Sequence, residues 1–570
     1  MNLRLGASFR ALLVLACLLV SIVAFAACRD DGGGTVGEGS PAGGGERIDG
    51  GELTVQSLEF ASLDPHFSGD NADISLERML WRGLYTLDKD NVPQPAMASA
   101  EPEISDDGLT YTIKLRDGLK WSDGDNLTAD DFVAGIHRTC NPKNAGQYEY
   151  LLSNLAGCDA HYTNEAGFDP ELEEEIGVRA VDPSTIEFQI LEPQPTFPMI
   201  LSLWMTFPSP VHLLAHSSDP WPSGPDAPNE LAYNGPYVLT DYSPQDSVTL
   251  EPNPEWAAPA NVSPTLDQIT VKFIEDLSQA TNAYRTGEIM ATAADVTQLE
   301  ALKSDFGENE EYFNFIGPVT ASLAFQLAKE PLDKLEVRLA LSQAIDREEL
   351  NRVVSQGGHQ PTTSWVPEVS GGAAPDAFDD AIGFDPDKAK ENLAKAGFPD
   401  GEGFPELAIL TIDAPAPRLM AVFLQEAFRT NLNIDVSIET VDGKGHAMRF
   451  TEEQFELTFN GWLQDYPDPE NWVIGMFETK GSLNHTNCSD PDIDALIEEA
   501  RFNTDNAERL RLYQDVNELI VTRVCGLTPL RHEARHWLIN PNIIGMRENL
   551  AGEDATIAGD WAAEYWGLSE

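Results

Sequence analysis

The chain of 570 residues is 42% hydrophobic and 23% charged, which is typical of a globular protein. This length exceeds what one compact core accommodates, so we expect at least two lobes. Asp and Glu number 94 against 36 Lys and Arg, for a net charge of -58. Because so acidic a chain repels polyanions, the composition excludes nucleic acid as a partner. We interpret the acidity as a contribution to solubility, of the kind found in salty habitats.

The N-terminus has the pattern of an export signal. Arg4 and Arg10 precede the apolar run ALLVLACLLVSIVAF, which is short for a membrane span and ends in small residues. The following FAAC resembles a bacterial lipobox. We therefore expect residues 1–27 to be a lipoprotein signal peptide and Cys28 to be the lipidated first residue of the mature protein. A plain signal peptide or an uncleaved anchor is the alternative.

Residues 28–50 are rich in glycine, which predicts a flexible tether. A lipid and a tether together hold a globular body near a membrane without inserting it. We expect the protein to be exported and lipid-anchored to the cell membrane, facing the periplasm or the exterior.

The body begins near Gly51 with a mixed α/β pattern. LTYTIKL, residues 109–115, alternates apolar and polar positions, which predicts a half-buried strand. Asp117-Gly118 then indicates a turn. Thr128 and Asp131 form a capping box that predicts the start of a helix.

The second half alternates helices and strands. Residues 335–354 carry apolar positions at helical spacing and predict one helix, closed by Gly357-Gly358. LAILTI and IDVSIETV, residues 407–412 and 434–441, read as strands on either side of a helix over 418–431. A strand–helix–strand order predicts a partly parallel sheet.

Four cysteines remain once Cys17 and Cys28 are set aside. In an exported protein they permit two disulfides, and the sequence leaves three pairings open. Proximity along the chain favours one of them. The candidates are Cys140 with Cys158 and Cys488 with Cys525.

A zinc-peptidase motif occurs near the C-terminus, where His532, Glu533 and His536 spell HExxH. In that motif two imidazoles one helical turn apart bind zinc and the glutamate activates water. The flanking sequence argues against it, because TPLR precedes the motif and Asn540-Pro541 ends any helix soon after. We keep a secreted zinc metallopeptidase as the alternative from a different class of function.

Several segments in order resemble one family, the extracellular solute-binding proteins of family 5, which are dipeptide- and oligopeptide-binding receptors of ABC importers. The resemblance spans residues 51–545. It is carried by SLDPHF, RGLYTLD, DDGLTYTIKLRDGLKWSDGDNLTADDFV, NGPYVLTDY, LEPNPEW, VRLALSQAIDREEL, GWLQDYPDPENW and NAERLRLYQDVNELI.

The resemblance implies an α/β fold, a two-lobe clamp of the type II periplasmic-binding-protein kind with an extra subdomain in the first lobe. Residues 51–318 would form lobe 1 with this subdomain, and 319–527 would form lobe 2. Residues 528–570 would make the return crossing and the C-terminal part of lobe 1. In this layout HEARH falls on an extended segment, where its histidines lie too far apart to chelate.

The resemblance also implies ligand contacts in the second lobe and on the return crossing. Asp465 matches the aspartate that pairs with the free amino terminus of a bound peptide, and an ammonium in a dry cleft needs such a carboxylate. Trp462 and Leu463 lie beside it and are expected to line the pocket. Glu533 occupies a position where relatives present a contacting tyrosine, which puts a peptide ligand in doubt.

In the first lobe the resemblance implies a loop whose backbone pairs with an extended peptide. It consists of Ser68, Gly69 and Asp70. No catalytic residue, metal ligand or cofactor is implied.

The function expected from the resemblance is capture of di- or oligopeptides by a monomeric lipoprotein. Hinge closure would enclose the ligand, and the loaded form would dock on the permease and ATPase subunits of an importer. The alternative within the same fold is an oligosaccharide or another small solute.

Overall fold

The computed structural model describes residues 47–88, 92–257, 262–307, 310–549 and 556–569. The expected signal peptide, Cys28 and the tether up to residue 46 lie outside these ranges. Within them, no helix combines the length and the apolar character that crossing a membrane requires.

The strands of the described ranges are numbered in chain order. They are β1 Arg47–Ile48, β2 Glu52–Ser57, β3 Tyr85–Leu87, β4 Pro93–Pro95, β5 Glu103–Ile104, β6 Thr110–Lys114, β7 Val178–Asp182, β8 Thr185–Gln189, β9 Tyr237–Ser243, β10 Ser247–Pro252, β11 Gln268–Phe273, β12 Ala291–Ala293, β13 Tyr312–Phe325, β14 Gln360–Pro361, β15 Leu407–Ile412, β16 Val436–Val441, β17 Leu457–Leu463, β18 Leu527–Ile539, β19 Ile543–Ile544 and β20 Gly567–Ser569.

The α-helices are numbered in the same way. They are α1 Asn71–Leu80, α2 Ala129–Thr139, α3 Cys158–Tyr162, α4 Pro170–Glu173, α5 Phe197–Ile200, α6 Leu277–Thr286, α7 Leu299–Phe306, α8 Leu335–Gln343, α9 Arg347–Ser355, α10 Asp379–Ile382, α11 Pro386–Lys395, α12 Pro415–Leu432, α13 Gly443–Thr451, α14 Pro491–Arg501 and α15 Asn506–Thr522.

One large mixed sheet organises the fold. Its strand order is β16-β15-β17-β13-β18-β12-β2-β11-β10-β9, with β14 paired to β18. The predicted strand–helix–strand unit is confirmed, because β15 and β16 are parallel and α12 connects them. Consecutive parallel strands need such a crossover.

The large sheet narrows to a neck formed by β13 and β18. Beyond the neck on one side, β17 pairs with β13 along residues 319–325, and on the other side β12 pairs with β18 along residues 537–539. The ladder between β13 and β18 is interrupted within the neck, where the register shifts between Ile316 and Thr320. Residues 317–319 therefore bulge opposite Glu533.

A separate four-stranded sheet has the order β5-β6-β8-β7. Its central strand β6 confirms the predicted alternation, because Tyr111, Ile113 and the adjacent Leu115 are buried while Lys114 is exposed. The predicted capping box is also confirmed, since Thr128 and Asp131 satisfy each other's backbone N–H groups at the start of α2.

The prediction of one helix over residues 335–354 was wrong, because the structure has two helices there, α8 and α9. Asp346 leaves the helical conformation, and its side chain accepts the Glu349 N–H at 3.0 Å, which caps the second helix. The break turns Arg347 into the interior, where it donates to the Pro529 carbonyl at 2.8 Å. The helical spacing of the apolar residues continues across the break, so spacing alone did not reveal it.

Two disulfides are present. Cys140 is bonded to Cys158 and Cys488 to Cys525, which is the pairing that proximity along the chain favours. The lobe boundaries at residues 318 and 528 stay predictions.

Candidate functional site

Asp465 lies two residues beyond the end of β17, on a turn that runs to Trp472. The carboxylate is half-buried. Its Oδ2 accepts a hydrogen bond from the Asn471 side-chain amide at 2.9 Å. The Asp465 N–H donates in turn to Asn471 Oδ1 at 2.8 Å. This turn therefore presents one carboxylate in a fixed orientation.

Two tyrosines approach Asp465 from beside the four-stranded sheet. The Tyr150 hydroxyl donates to Asp465 Oδ2 at 3.3 Å, and Tyr148 also hydrogen-bonds to this carboxylate. Tyr148 packs edge-on against Trp204, with ring centroids 4.7 Å apart. The sequence analysis missed these residues. Their signal is the Tyr-x-Tyr alternation in QYEYLL, which by itself identifies no partner.

The proton affinity of Asp465 is unusual. Burial raises its pKa from 3.8 to about 6, against the lowering effect of hydrogen bonds from Asn471, Tyr148 and Tyr150 and of the Arg78 charge. Burial, followed by the charge of Asp465, raises the pKa of Tyr150. The site is thus poorly hydrated and favours an added positive charge.

In the loop that was expected to pair with a peptide backbone, residues 68–70, Ser68 differs from Gly69 and Asp70 in its hydrogen bonds. Ser68 is buried, and its N–H donates to the Asp64 carbonyl at 2.9 Å. Its carbonyl accepts from Trp204 Nε1 at 3.1 Å. The N–H groups of Gly69 and Asp70 have no hydrogen-bond partner among the residues that the structure describes. Of the three residues, Gly69 and Asp70 keep donors for a ligand.

Trp462 and Leu463 are both half-buried at the end of β17. Consecutive strand residues point to opposite faces, so these two side chains do not share one wall. Trp462 lies opposite Thr320 in the ladder and Leu463 opposite Val319. The indole N–H of Trp462 donates to Asn471 Oδ1 at 3.1 Å, which ties Trp462 to the Asp465 turn.

Glu533 is half-buried at the neck and is paired with Arg531, whose guanidinium lies 3.0 Å from its carboxylate. Burial acts to raise the pKa of Glu533, but the charge of Arg531, followed by those of His359 and Arg535, holds it below its usual value. Glu533 is therefore an ionised carboxylate that already has a counter-charge.

The HEARH letters lie on β18, as the extended-segment interpretation predicted. Residues four apart on a strand are separated by about 13 Å, which is too far for two imidazoles to bind one zinc ion. His532 instead contacts the Thr320 hydroxyl at 2.9 Å, and His536 contacts the Tyr312 hydroxyl at 2.6 Å. Burial lowers the pKa of His532 to about 3 and that of His536 to about 4. This geometry contradicts the zinc-peptidase alternative.

One group within the described ranges brings three potential metal ligands together. Atoms of Asp123, Asp125 and His212 lie within 4.8 Å of one another, and all three residues are exposed. The 2.7 Å contact between His212 and Asp123 accounts for their proximity as a surface ion pair, so we assign no metal to them.

A second carboxylate on the Asp465 turn contacts the region of the four-stranded sheet. Glu470 is fully buried, and its Oε1 accepts from Thr196 Oγ1 at 3.1 Å and from Gln194 Nε2 at 3.3 Å. Its Oε2 accepts from the Tyr513 hydroxyl at 3.3 Å. Burial, followed by the charge of Asp468, raises the pKa of Glu470.

The chain resembles known solute-binding proteins over nearly its whole length. Residues 92–484 match the bacterial extracellular solute-binding proteins, family 5 middle. The oligopeptide-binding protein OppA of Bacillus subtilis is 25% identical over 94% of this chain and 96% of its own length. A probable deoxycholate-binding periplasmic protein, YgiS of Escherichia coli, is 28% identical over 85% of this chain and 88% of its own.

The fold has solved counterparts. The periplasmic oligopeptide-binding protein OppAIV of Borrelia burgdorferi superposes with a TM-score of 0.75 at 24% identity, covering 90% of this chain and all of that one. The expected two-lobe α/β fold is therefore confirmed.

Proposed function

This chain belongs to family 5 of the bacterial extracellular solute-binding proteins, and we propose that it captures peptides with a free amino terminus and delivers them to a membrane permease. Members of this family bind solutes for transport and are not enzymes. The observation that carries the proposal is the half-buried Asp465 carboxylate, whose pKa burial raises to about 6. A group held in this way gains most from an added ammonium.

The amino terminus of the ligand would meet a carboxylate and aromatic rings together. Asp465 would supply the charge, and the hydroxyls of Tyr148 and Tyr150, which hydrogen-bond to this carboxylate, would lie beside the ammonium. Charge-assisted hydrogen bonds in a poorly hydrated cleft are stronger than those between neutral groups. A ligand lacking the ammonium would leave this carboxylate without a counter-charge.

The peptide backbone would pair with Gly69 and Asp70. Their N–H groups have no partner among the described residues, which suits the main-chain pairing of an extended ligand. Such pairing is indifferent to side chains, so we expect one receptor to accept many sequences.

Delivery extends the same proposal to partners and location. We propose a monomeric lipoprotein that is anchored through Cys28 and hands its ligand to the permease and ATPase of an importer. Lobe 1 would comprise residues 51–318 and 528–570, and lobe 2 residues 319–527. Closure of the lobes at the neck would enclose the ligand.

The deciding experiment compares free and N-acetylated forms of one peptide in calorimetric titrations. We expect the free form to bind far more tightly, and equal binding would refute the amine site. Mass spectrometry of what co-purifies from native extract would identify natural ligands. Zinc content and casein turnover, both expected to be absent, would check the non-enzymatic assignment.

A second candidate ligand class is a small non-peptide solute. It is favoured by the relative of 28% identity, which is described as a probable deoxycholate-binding protein, and by Glu533, an ionised carboxylate at the neck. Deoxycholate and an oligosaccharide belong in the same titrations. Tight binding of either, with no binding of peptides, would favour this candidate.

A further inference from the structure

Asn471 hydrogen-bonds to two residues of the proposed site, Trp462 on β17 and Asp465 on the turn that follows it. Its Oδ1 accepts the Trp462 indole N–H at 3.1 Å and the Asp465 backbone N–H at 2.8 Å. Its Nδ2 donates to Asp465 Oδ2 at 2.9 Å. One side chain thus makes three hydrogen bonds to the proposed ligand-binding wall.

The orientation of the Asn471 amide follows from its partners. An indole N–H and a backbone N–H are donors only, so the group they both contact must be the oxygen. The amino group of Asn471 must therefore face the Asp465 carboxylate. A flipped amide would place its amino group against the two N–H donors and its oxygen against the Asp465 carboxylate, and both contacts would be unfavourable.

Asn471 has little freedom to move. It is only 1% exposed, and its neighbours Glu470 and Trp472 are fully buried. The Trp472 carbonyl accepts from Trp365 Nε1 at 2.8 Å, and Asp468 caps the helical turn at Pro469. A bound ligand would not reach so buried a side chain, so Asn471 acts through Asp465 and Trp462.

We propose that Asn471 is the positioning residue of the amine site, which holds the Asp465 carboxylate and the Trp462 ring in one arrangement. The carboxylate then faces the ligand without a large choice of rotamers. Fixing a binding group in advance lowers the entropy lost on binding. The biological meaning of this inference rests on the proposed function, whereas its first test does not.

Asp465 titrates among a small number of groups. From the four-stranded-sheet side Tyr148 and Tyr150 face it, and from α1 the charge of Arg78 acts on it. Asp70 adds a negative charge near Tyr148. Against this background the Asn471 amino group is a donor that stabilises the ionised carboxylate, so its removal must raise the pH at which Asp465 takes up a proton.

The sharpest variant is Asn471→Asp, which has nearly the same shape. A carboxylate oxygen still accepts from the Trp462 and Asp465 N–H groups, while the second oxygen replaces the donor that faces Asp465 Oδ2. We expect the pair to share one proton, so that a titration at about 6 moves above about 7.

The measurement is the carboxyl carbon chemical shift of Asp465 against pH in the ligand-free full chain, with the signal identified by its loss in Asp465→Asn. Asn460→Asp, which adds the same charge on β17 five residues before Asp465, is the control and should leave this titration in place. Asn471→Ala is the second variant if Asn471→Asp does not fold. It removes the donor and should also move the titration upward. An unchanged Asp465 titration in the folded variants would overturn the proposal.

Peptide-binding measurements distinguish a failure of this inference from a failure of the proposed function. Trialanine should lose affinity for Asn471→Asp at a higher pH than for the wild type, with a tenfold or larger difference near pH 6.5. N-acetyl-trialanine should not distinguish the two proteins. If the wild type binds both peptides equally, the proposed amine site fails, and the ligand-free titration still decides the role of Asn471.

Discussion

Asp465 and Glu470 lie on one turn and contact the same neighbouring region, but their carboxylates differ in burial. Both accept hydrogen bonds from residues near the four-stranded sheet, Asp465 from Tyr150 and Glu470 from Gln194 and Thr196. Glu470 is fully buried and surrounded by donors, whereas Asp465 is half-buried. A saturated carboxylate holds the structure together, and an incompletely enclosed one keeps capacity for a ligand.

The largest expected effect is on stability, from Glu470→Ala. The change leaves the Thr196, Gln194 and Tyr513 donors buried without their acceptor, so we expect a loss of about 3–5 kcal/mol. Chemical denaturation measures it. Glu470→Gln keeps one acceptor oxygen and should lose less than half as much. An Ala variant as stable as the wild type would contradict the structural role that distinguishes Glu470 from Asp465.

Asp465→Ala should act on affinity instead. Without the carboxylate, a peptide's ammonium has no counter-charge in the cleft, and we expect affinity for a free-amine peptide to fall about 100-fold. Calorimetry with the free peptide measures this loss, and the N-acetylated peptide serves as control. Denaturation should show little loss of stability. A variant that kept full affinity but unfolded easily would reverse the roles assigned to the two carboxylates.

The pH dependence sharpens the comparison. Because burial raises the pKa of Asp465 from 3.8 to about 6, the folded state holds this proton more tightly than the unfolded state. Its contribution to stability is fully present below pH 3.8 and is lost as pH rises through about 6. Denaturation at several pH values should therefore show a smaller decline over this interval in Asp465→Asn than in the wild type.

The affinity for a free-amine peptide should change with pH in the opposite direction, weakening as pH falls through about 6, since only the ionised carboxylate pairs with an ammonium. Titrations between pH 5 and 8 measure it. A flat profile would mean that Asp465 does not face the ligand.

The smallest expected effect belongs to Glu533→Gln. Its partner Arg531 stays hydrogen-bonded to Ser355, and the ion pair is partly exposed, so we expect a stability change of about 1 kcal/mol or less. Free-amine peptide affinity should change less than in Asp465→Ala. A loss as large as that of Asp465→Ala would give Glu533 an equal part in binding.

Local patterns predicted the local structure well. The alternation of residues 109–115 and the capping box at Thr128 follow from side-chain periodicity and turn chemistry. The extended HEARH segment was expected from the resemblance instead. The prediction of one helix over residues 335–354 failed because Asp346 caps a second helix there, although the apolar residues keep their helical spacing across the break.

The environment of Asp465 could be predicted only in part. A resemblance identified the aspartate itself and Trp462, which lie within one short motif. Tyr150 lies 315 residues away from Asp465 along the chain, and their contact depends on how two sheets meet, which no local pattern encodes. Asn471 contacts Asp465 and Trp462 only because the turn folds back on β17.

The neck between β13 and β18 determines how the molecule can move. A pair of hydrogen-bonded strands bends out of its own plane much more readily than it shears within it, and here its ladder is interrupted at residues 317–319. The proposed closure of the lobes would therefore follow a single arc. Under the proposed function, ligands of different length would halt this closure at different angles without changing its path, so one permease would meet every loaded receptor by the same approach.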